Sequence, residues 1–156
     1  MTKLASVFGE SYQKASVNLK TRQFELGGHV FKVRIPLSSD MEAMQERIEK
    51  YDEAEAEERF QKMTSGFRKN LDIEGIVISD DDVIVEGRST RDLVKTMMTM
   101  ENRIVEYVKL LVAENGSLED ITYKDIEAEF PMAIQLELVS KITEVIQPGY
   151  KDARKN

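Results

Sequence analysis

Histidine, cysteine and grouped carboxylates are the residues that most often bind metals or attack bonds, and this chain uses them sparingly. It has no cysteine and a single histidine, His29. Thiolate zinc sites, disulfide frameworks, cysteine nucleophiles and multi-histidine metal sites are therefore excluded, and the lack of cysteine fits a reducing compartment. His29 follows Gly27-Gly28. A two-residue turn there would pair it with Leu26, which is a structural place more than a catalytic one. Asp80, Asp81 and Asp82 are consecutive. A calcium loop instead alternates its ligands, bends at a glycine and ends on a distant glutamate, so the run reads as a turn. The glycine pair is followed by His-Val-Phe, not by the Lys and Ser or Thr of a phosphate loop, and no nucleophile-elbow pattern surrounds a serine. With 29 acids in the chain, no carboxylate pair stands out. No catalytic residue, metal or cofactor is expected, and the chain reads as a non-enzyme.

The more telling chemistry is soft and apolar. Eight methionines are present, and Met97, Met98 and Met100 fall within four residues of one another. Unbranched thioether side chains repack against many surfaces and are common in grooves that hold varied apolar helices, although they also serve as ordinary core filler. Leu93, Met97, Met100, Ile104, Val108 and Leu111 make one helical stripe, and Val94, Met98, Val105 and Val112 make a second about 100° away. One neighbour cannot cover both. The candidate partner-binding residues are Met97, Met98, Met100, Ile104, Val105, Leu138 and Ile142, with the second stripe the expected interface in a homo-oligomer.

These residues need elements to carry them. With 156 residues, 41% hydrophobic and 33% charged, the chain is long enough for one packed domain over 1–156 and too apolar to be disordered. Residues 1–15 carry a brief apolar patch at Leu4, Val7 and Phe8 but no sustained period, and read as a loose arm. Residues 16–36 read as a β-hairpin about Gly27-Gly28, with apolar and polar residues alternating in Phe31-Lys32-Val33-Arg34-Ile35. Val17 and Leu19 have the wrong parity for that hairpin and would require a bulge. Ser39-Asp40-Met41-Glu42 has the form of a capping box opening an acidic helix over 39–69, bent where Tyr51 and Ala56 break the three-four spacing. Its charges at 52–58 read as a solvated face. Ile76-Val77-Ile78 and Val83-Ile84-Val85 predict short strands within 75–86. A helical region over 89–147 follows, with helices expected from Ser89 or Thr90 to about Glu114, from Thr122, and from Pro131 to Pro148-Gly149; 148–156 is a polar tail. The fold class expected is α+β, mostly helical, with an N-terminal antiparallel hairpin and a second short strand pair.

The formal charge of −7 argues against a nucleic-acid binder, because such affinity comes from clustered Lys and Arg. The charge is uneven. Lys3, Lys14, Lys20, Arg22, Lys32 and Arg34 outnumber Glu10 and Glu25 in the first 35 residues, while the remainder is strongly acidic. No run approaches the ~18 apolar residues of a membrane span and no signal-peptide pattern opens the chain, so a soluble intracellular protein is expected.

The chain resembles the tail assembly chaperones of long-tailed bacteriophages and prophages. The likeness rests on Phe31-Lys32-Val33-Arg34-Ile35-Pro36 leading into an acidic helical body, and on Phe130-Pro131-Met132-Ala133-Ile134-Gln135-Leu136-Glu137-Leu138-Val139 continuing through Ile142, Ile146 and Pro148. It covers about half of the chain. The resemblance implies no catalysis: such proteins bind the apolar, helical tape-measure protein in the host cytoplasm, keep it soluble and help recruit tail-tube subunits. In many of them a frameshift adds a C-terminal extension, and Lys155-Asn156 is compatible with an A-rich slippage site. A homo-oligomeric phage structural or accessory protein is the alternative.

Overall fold

A computed structural model of the protein describes residues 2–69 and 73–147. The chain is mostly helical α+β, as its patterning predicts. In order it forms α1 (Lys3–Phe8), α2 (Glu10–Leu19), β1 (Thr21–Leu26), β2 (His29–Arg34), α3 (Ser38–Glu49), α4 (Glu53–Arg68), β3 (Ile76–Ile78), β4 (Val83–Val85), β5 (Arg88–Ser89), α5 (Thr90–Val108), α6 (Tyr123–Glu129) and α7 (Met132–Ile146). The expectation of one domain is refined by the contacts, which gather into two compact units. One joins the residues before Met44 to those after Arg103, and the other is the uninterrupted segment Met44–Arg103.

In the first unit, β1 and β2 pair antiparallel with Leu26 opposite His29 and Phe24 opposite Phe31. The turn depends on Gly27 and Gly28, at φ +62° and +84°, a region costly for any residue with a Cβ. Alternation puts Phe24, Leu26, Phe31 and Val33 on the inner face, with Val33 fully buried, and α7 lies against both strands. A third backbone segment completes the ladder: Arg34 N–H donates to the Leu110 carbonyl and Val112 N–H to the Lys32 carbonyl, each at 2.8 Å. Here the expected helix to Glu114 is corrected. The helical period continues through Leu111, but α5 stops at Val108 because β2 offers residues 110–112 a ladder in place of another helical turn.

The loose arm over 1–15 is also corrected, since α1 and α2 occupy it. The Thr2 side chain accepts from Ala5 N–H, and Gly9 at φ +84° ends one helix and opens the next. Val17 and Leu19 are helical, so the bulge they would have required does not arise. No residue of either helix is buried. At the other end, Thr122 and Asp125 form a reciprocal capping box for α6, and α7 starts after Pro131, both as expected. Gln135 is buried on α7, yet its Oε1 accepts from the Tyr123 hydroxyl at 2.9 Å and its Nε2 donates to the Phe130 carbonyl at 2.8 Å. Those bonds fix the α6–α7 corner. The expected stop at Pro148-Gly149 and the tail over 148–156 lie outside the described residues.

The single helix expected over 39–69 is two helices, α3, which begins in the first unit and ends in the second, and α4 of the second. α3 starts at Ser38, ahead of the Ser39 cap, with Leu37 N–H donating to the Asp40 carboxylate. Asp52 caps α4 by accepting from Ala54 and Glu55 N–H at 2.8 and 3.2 Å. The open carbonyls at the end of α3 accept from Asn102 of α5, whose Nδ2 donates to Ile48 O at 3.2 Å and Lys50 O at 2.9 Å. β3, β4 and β5 form one antiparallel sheet. The third strand was not expected; Glu86 at φ +50° and Gly87 at φ +79° make the two-residue turn that returns the chain. Phe60, Val83, Val94 and Met98 form the core, with Tyr51, Ala56, Phe67, Ile76, Ile78 and Val85 packed around it.

Candidate functional site

The second unit carries an apolar groove of about 300 Å³ lined by Met63, Phe67, Val85, Arg88, Ser89, Thr90 and Leu93. α4 supplies Met63 and Phe67 one turn apart, β4 and β5 supply Val85, Arg88 and Ser89, and the first turn of α5 supplies Thr90 and Leu93. Met63 and Leu93 are 39% and 49% exposed, and Met97, one turn beyond Leu93 on α5, is 37% exposed. These three continue the groove wall into an apolar surface patch. Arg88 is the one charged residue in the lining.

Polar bonds set the groove's frame. Asp82 accepts from Val83 N–H at 2.7 Å, from Arg91 N–H at 3.2 Å and from the Ser89 hydroxyl. Ser89 Oγ in turn accepts from Asp92 N–H at 3.1 Å, capping α5 as expected. Burial alone would push the Asp82 carboxyl up, but the bonds from Ser89, Arg91 and Val83 win and hold it below its ordinary value. A carboxylate saturated in this way is a poor proton acceptor, so this cluster closes a turn. The Arg91 guanidinium lies 3.9 Å from the Phe60 ring centroid and donates to Glu57 at 2.5 Å. That bond draws the Glu57 carboxyl down. Arg59 of α4 bonds Glu101 of α5 and Glu55, and the Glu101 bond raises its already high pKa further. α4 and α5, which form two of the groove's walls, are thus tied together by ion pairs as well as by Phe60 and Met98.

The chain matches no protein-family model, no curated protein and no solved structure. The site is therefore read from its own geometry.

Of the seven residues expected to bind a partner, none lines this groove, and Met97 is exposed one turn beyond its lining residue Leu93. Met98 is core of the second unit, and Ile104, Leu138 and Ile142 are buried. Met100 and Val105 are half-buried. In the second unit the stripe holding Val94 and Met98 is the inner one and Leu93 and Met97 of the other stripe face out, a choice the sequence left open. Met63, Phe67 and Val85 were missed as a site. Their signal was present only in part, as the three-four series Ala56, Phe60, Met63, Phe67, from which Met63 departs to the surface. His29 is exposed on the hairpin turn with its ring edge-on to Phe31 at 4.6 Å. Among the described residues no group of three His, Cys, Asp or Glu side chains could hold a metal.

Proposed function

We propose that this protein is a non-enzymatic tail assembly chaperone of a long-tailed phage, holding an apolar helical stretch of the tape-measure protein in the groove of the second unit and helping to recruit tail-tube subunits. The observation that carries the reading is the open apolar wall of Met63, Phe67 and Leu93, with Met97 exposed one turn further along α5, whose side chains suit the ridge of an amphipathic helix. The likeness in Phe31–Pro36 and Phe130–Val139 supports the choice of client. Arg88 at the rim suits a carboxylate or a helix C-terminal carbonyl on that client. No described helix is long and apolar enough to cross a membrane, and the proposed work takes place in the host cytoplasm.

Co-expression with the tape-measure protein encoded beside this chain tests the proposal. The client should move into the soluble fraction, and the complex should persist in raised salt because apolar contacts hold it. Leu93→Asp combined with Met97→Asp should return the client to the pellet while leaving this protein folded. A client that is equally insoluble with and without the chain removes the reading. A homo-oligomeric structural or accessory protein is then the better one, favoured by the exposed apolar residues of α1 and α2.

A further inference from the structure

The first two helices carry apolar side chains with little cover: the Phe8 ring meets Tyr12 edge-on at 5.1 Å, yet no residue of either helix is buried. Leu4, Val7 and Phe8 of α1 are 63%, 72% and 56% exposed, and Val17 and Leu19 of α2 are 66% and 67% exposed. Single exposed apolar side chains are ordinary, but five on seventeen consecutive residues, with none buried, make a surface that is incomplete in one copy of the chain. Residues 3–19 are also mildly basic, carrying Lys3 and Lys14 against Glu10, with which Lys14 forms an exposed ion pair at 3.3 Å, and Lys20 follows directly.

The complementary surface lies on α7. Its inner side carries Leu138 and Ile142, while its outer side leaves Met132 and Leu136 43% and 47% exposed at a spacing of four. Glu137 and Glu144 share that outer side. One surface is therefore apolar with lysines and the other apolar with glutamates, and neither is closed within its own chain.

We infer that residues 3–19 of one copy dock on the outer face of α7 of a second copy, with Leu4, Val7 and Phe8 against Met132 and Leu136 and the arm's lysines beside Glu137 and Glu144. Charge selects the partner. A chain with net charge −7 repels itself through its body, and the basic arm is the part attracted to another copy. A reciprocal exchange of arms closes a two-fold dimer, and a one-way exchange adds further copies. Because arm and acceptor both belong to the first unit, the inference is independent of the groove and of its client.

Light scattering on the full chain, without client, tests it at high micromolar concentration. The wild type should have at least twice the monomer mass. Leu4→Ser/Val7→Ser/Phe8→Ser and, separately, Met132→Gln/Leu136→Gln should each fall to monomer mass with an unchanged circular dichroism spectrum. Carbodiimide cross-linking of a mixture of isotope-labelled and unlabelled wild type needs no substitution. It should join Lys3 or Lys14 to Glu137 or Glu144 in peptides that carry one labelled and one unlabelled half. A monomeric wild type, an arm variant that keeps the wild-type mass, or cross-links confined to one copy would each overturn the inference.

Discussion

Asp82 shows how one carboxylate can look like chemistry and act as architecture. In sequence it belongs to an acidic run, while in the fold it closes the β3–β4 turn and ties that turn to the start of α5 through Val83, Ser89 and Arg91. Asp82→Ala leaves those donors unmatched and should cost about 2 kcal/mol at neutral pH. Its carboxyl is held below the ordinary value of 3.8 in the fold, so its contribution is complete above that value and is lost as pH falls through the lower, folded one. The difference in stability between variant and wild type should therefore close as pH drops below about 4. Denaturant melts at several pH values read both effects, and a gap unchanged at low pH would contradict them. Asp125, drawn down by bonds from the Thr122 backbone and then its side chain, acts in the same sense at the start of α6.

At the scale of elements, the decisive feature is which side of α5 is covered. Val94 and Met98 pack on Phe60 and Val83, so Met98→Glu puts an unpaired charge into the core and should destabilise by on the order of 3–5 kcal/mol. Leu93→Glu, one turn away on the exposed side, should change stability by about 0.5 kcal/mol or less. Thermal unfolding of the two variants is a direct comparison: a larger loss for Leu93→Glu would mean that the stripes are reversed, and equal losses would mean that neither side is preferentially covered. Helix ends carry a related lesson. The step of five between Tyr51 and Ala56 marks a bend at this break, but the Asp52 cap inside it read as part of a solvated face, and the partner of the open α3 carbonyls, Asn102, is 50 residues or more away in sequence and could not be foreseen. β5 had a local signal, Glu86-Gly87, but two residues of strand are too short to show alternation.

At the scale of the whole molecule, the absence of cysteine and the presence of one histidine bound what the protein can bind. Thermal melts in EDTA, Zn²⁺, Ca²⁺ or ATP should coincide within error, since a ligand specific to the folded state raises the midpoint by mass action. A clear upward shift with any of them would require a site that residue types and spacing do not suggest. Charge is distributed unevenly at this scale, with a basic first 35 residues and an acidic remainder in a chain of net charge −7.

By itself the sequence determined what depends on neighbours along the chain. The Gly27-Gly28 turn, the alternation in β1 and β2, the capping box at Thr122 and Asp125, and the apolar series of α3 and α7 all rest on local sterics, local hydrogen bonds and periodicity. The surplus of apolar helix face was legible too. Tertiary structure alone decided where α5 ends, because residues 110–112 exchange a helical turn for the β2 ladder only when β2 is beside them. It also decided which methionines are core and which line the groove, because two stripes 100° apart are equivalent until a neighbour covers one. Along the arm, Leu4, Val7 and Phe8 have three-four spacing, but a turn and a half of it is too short to mark a helix.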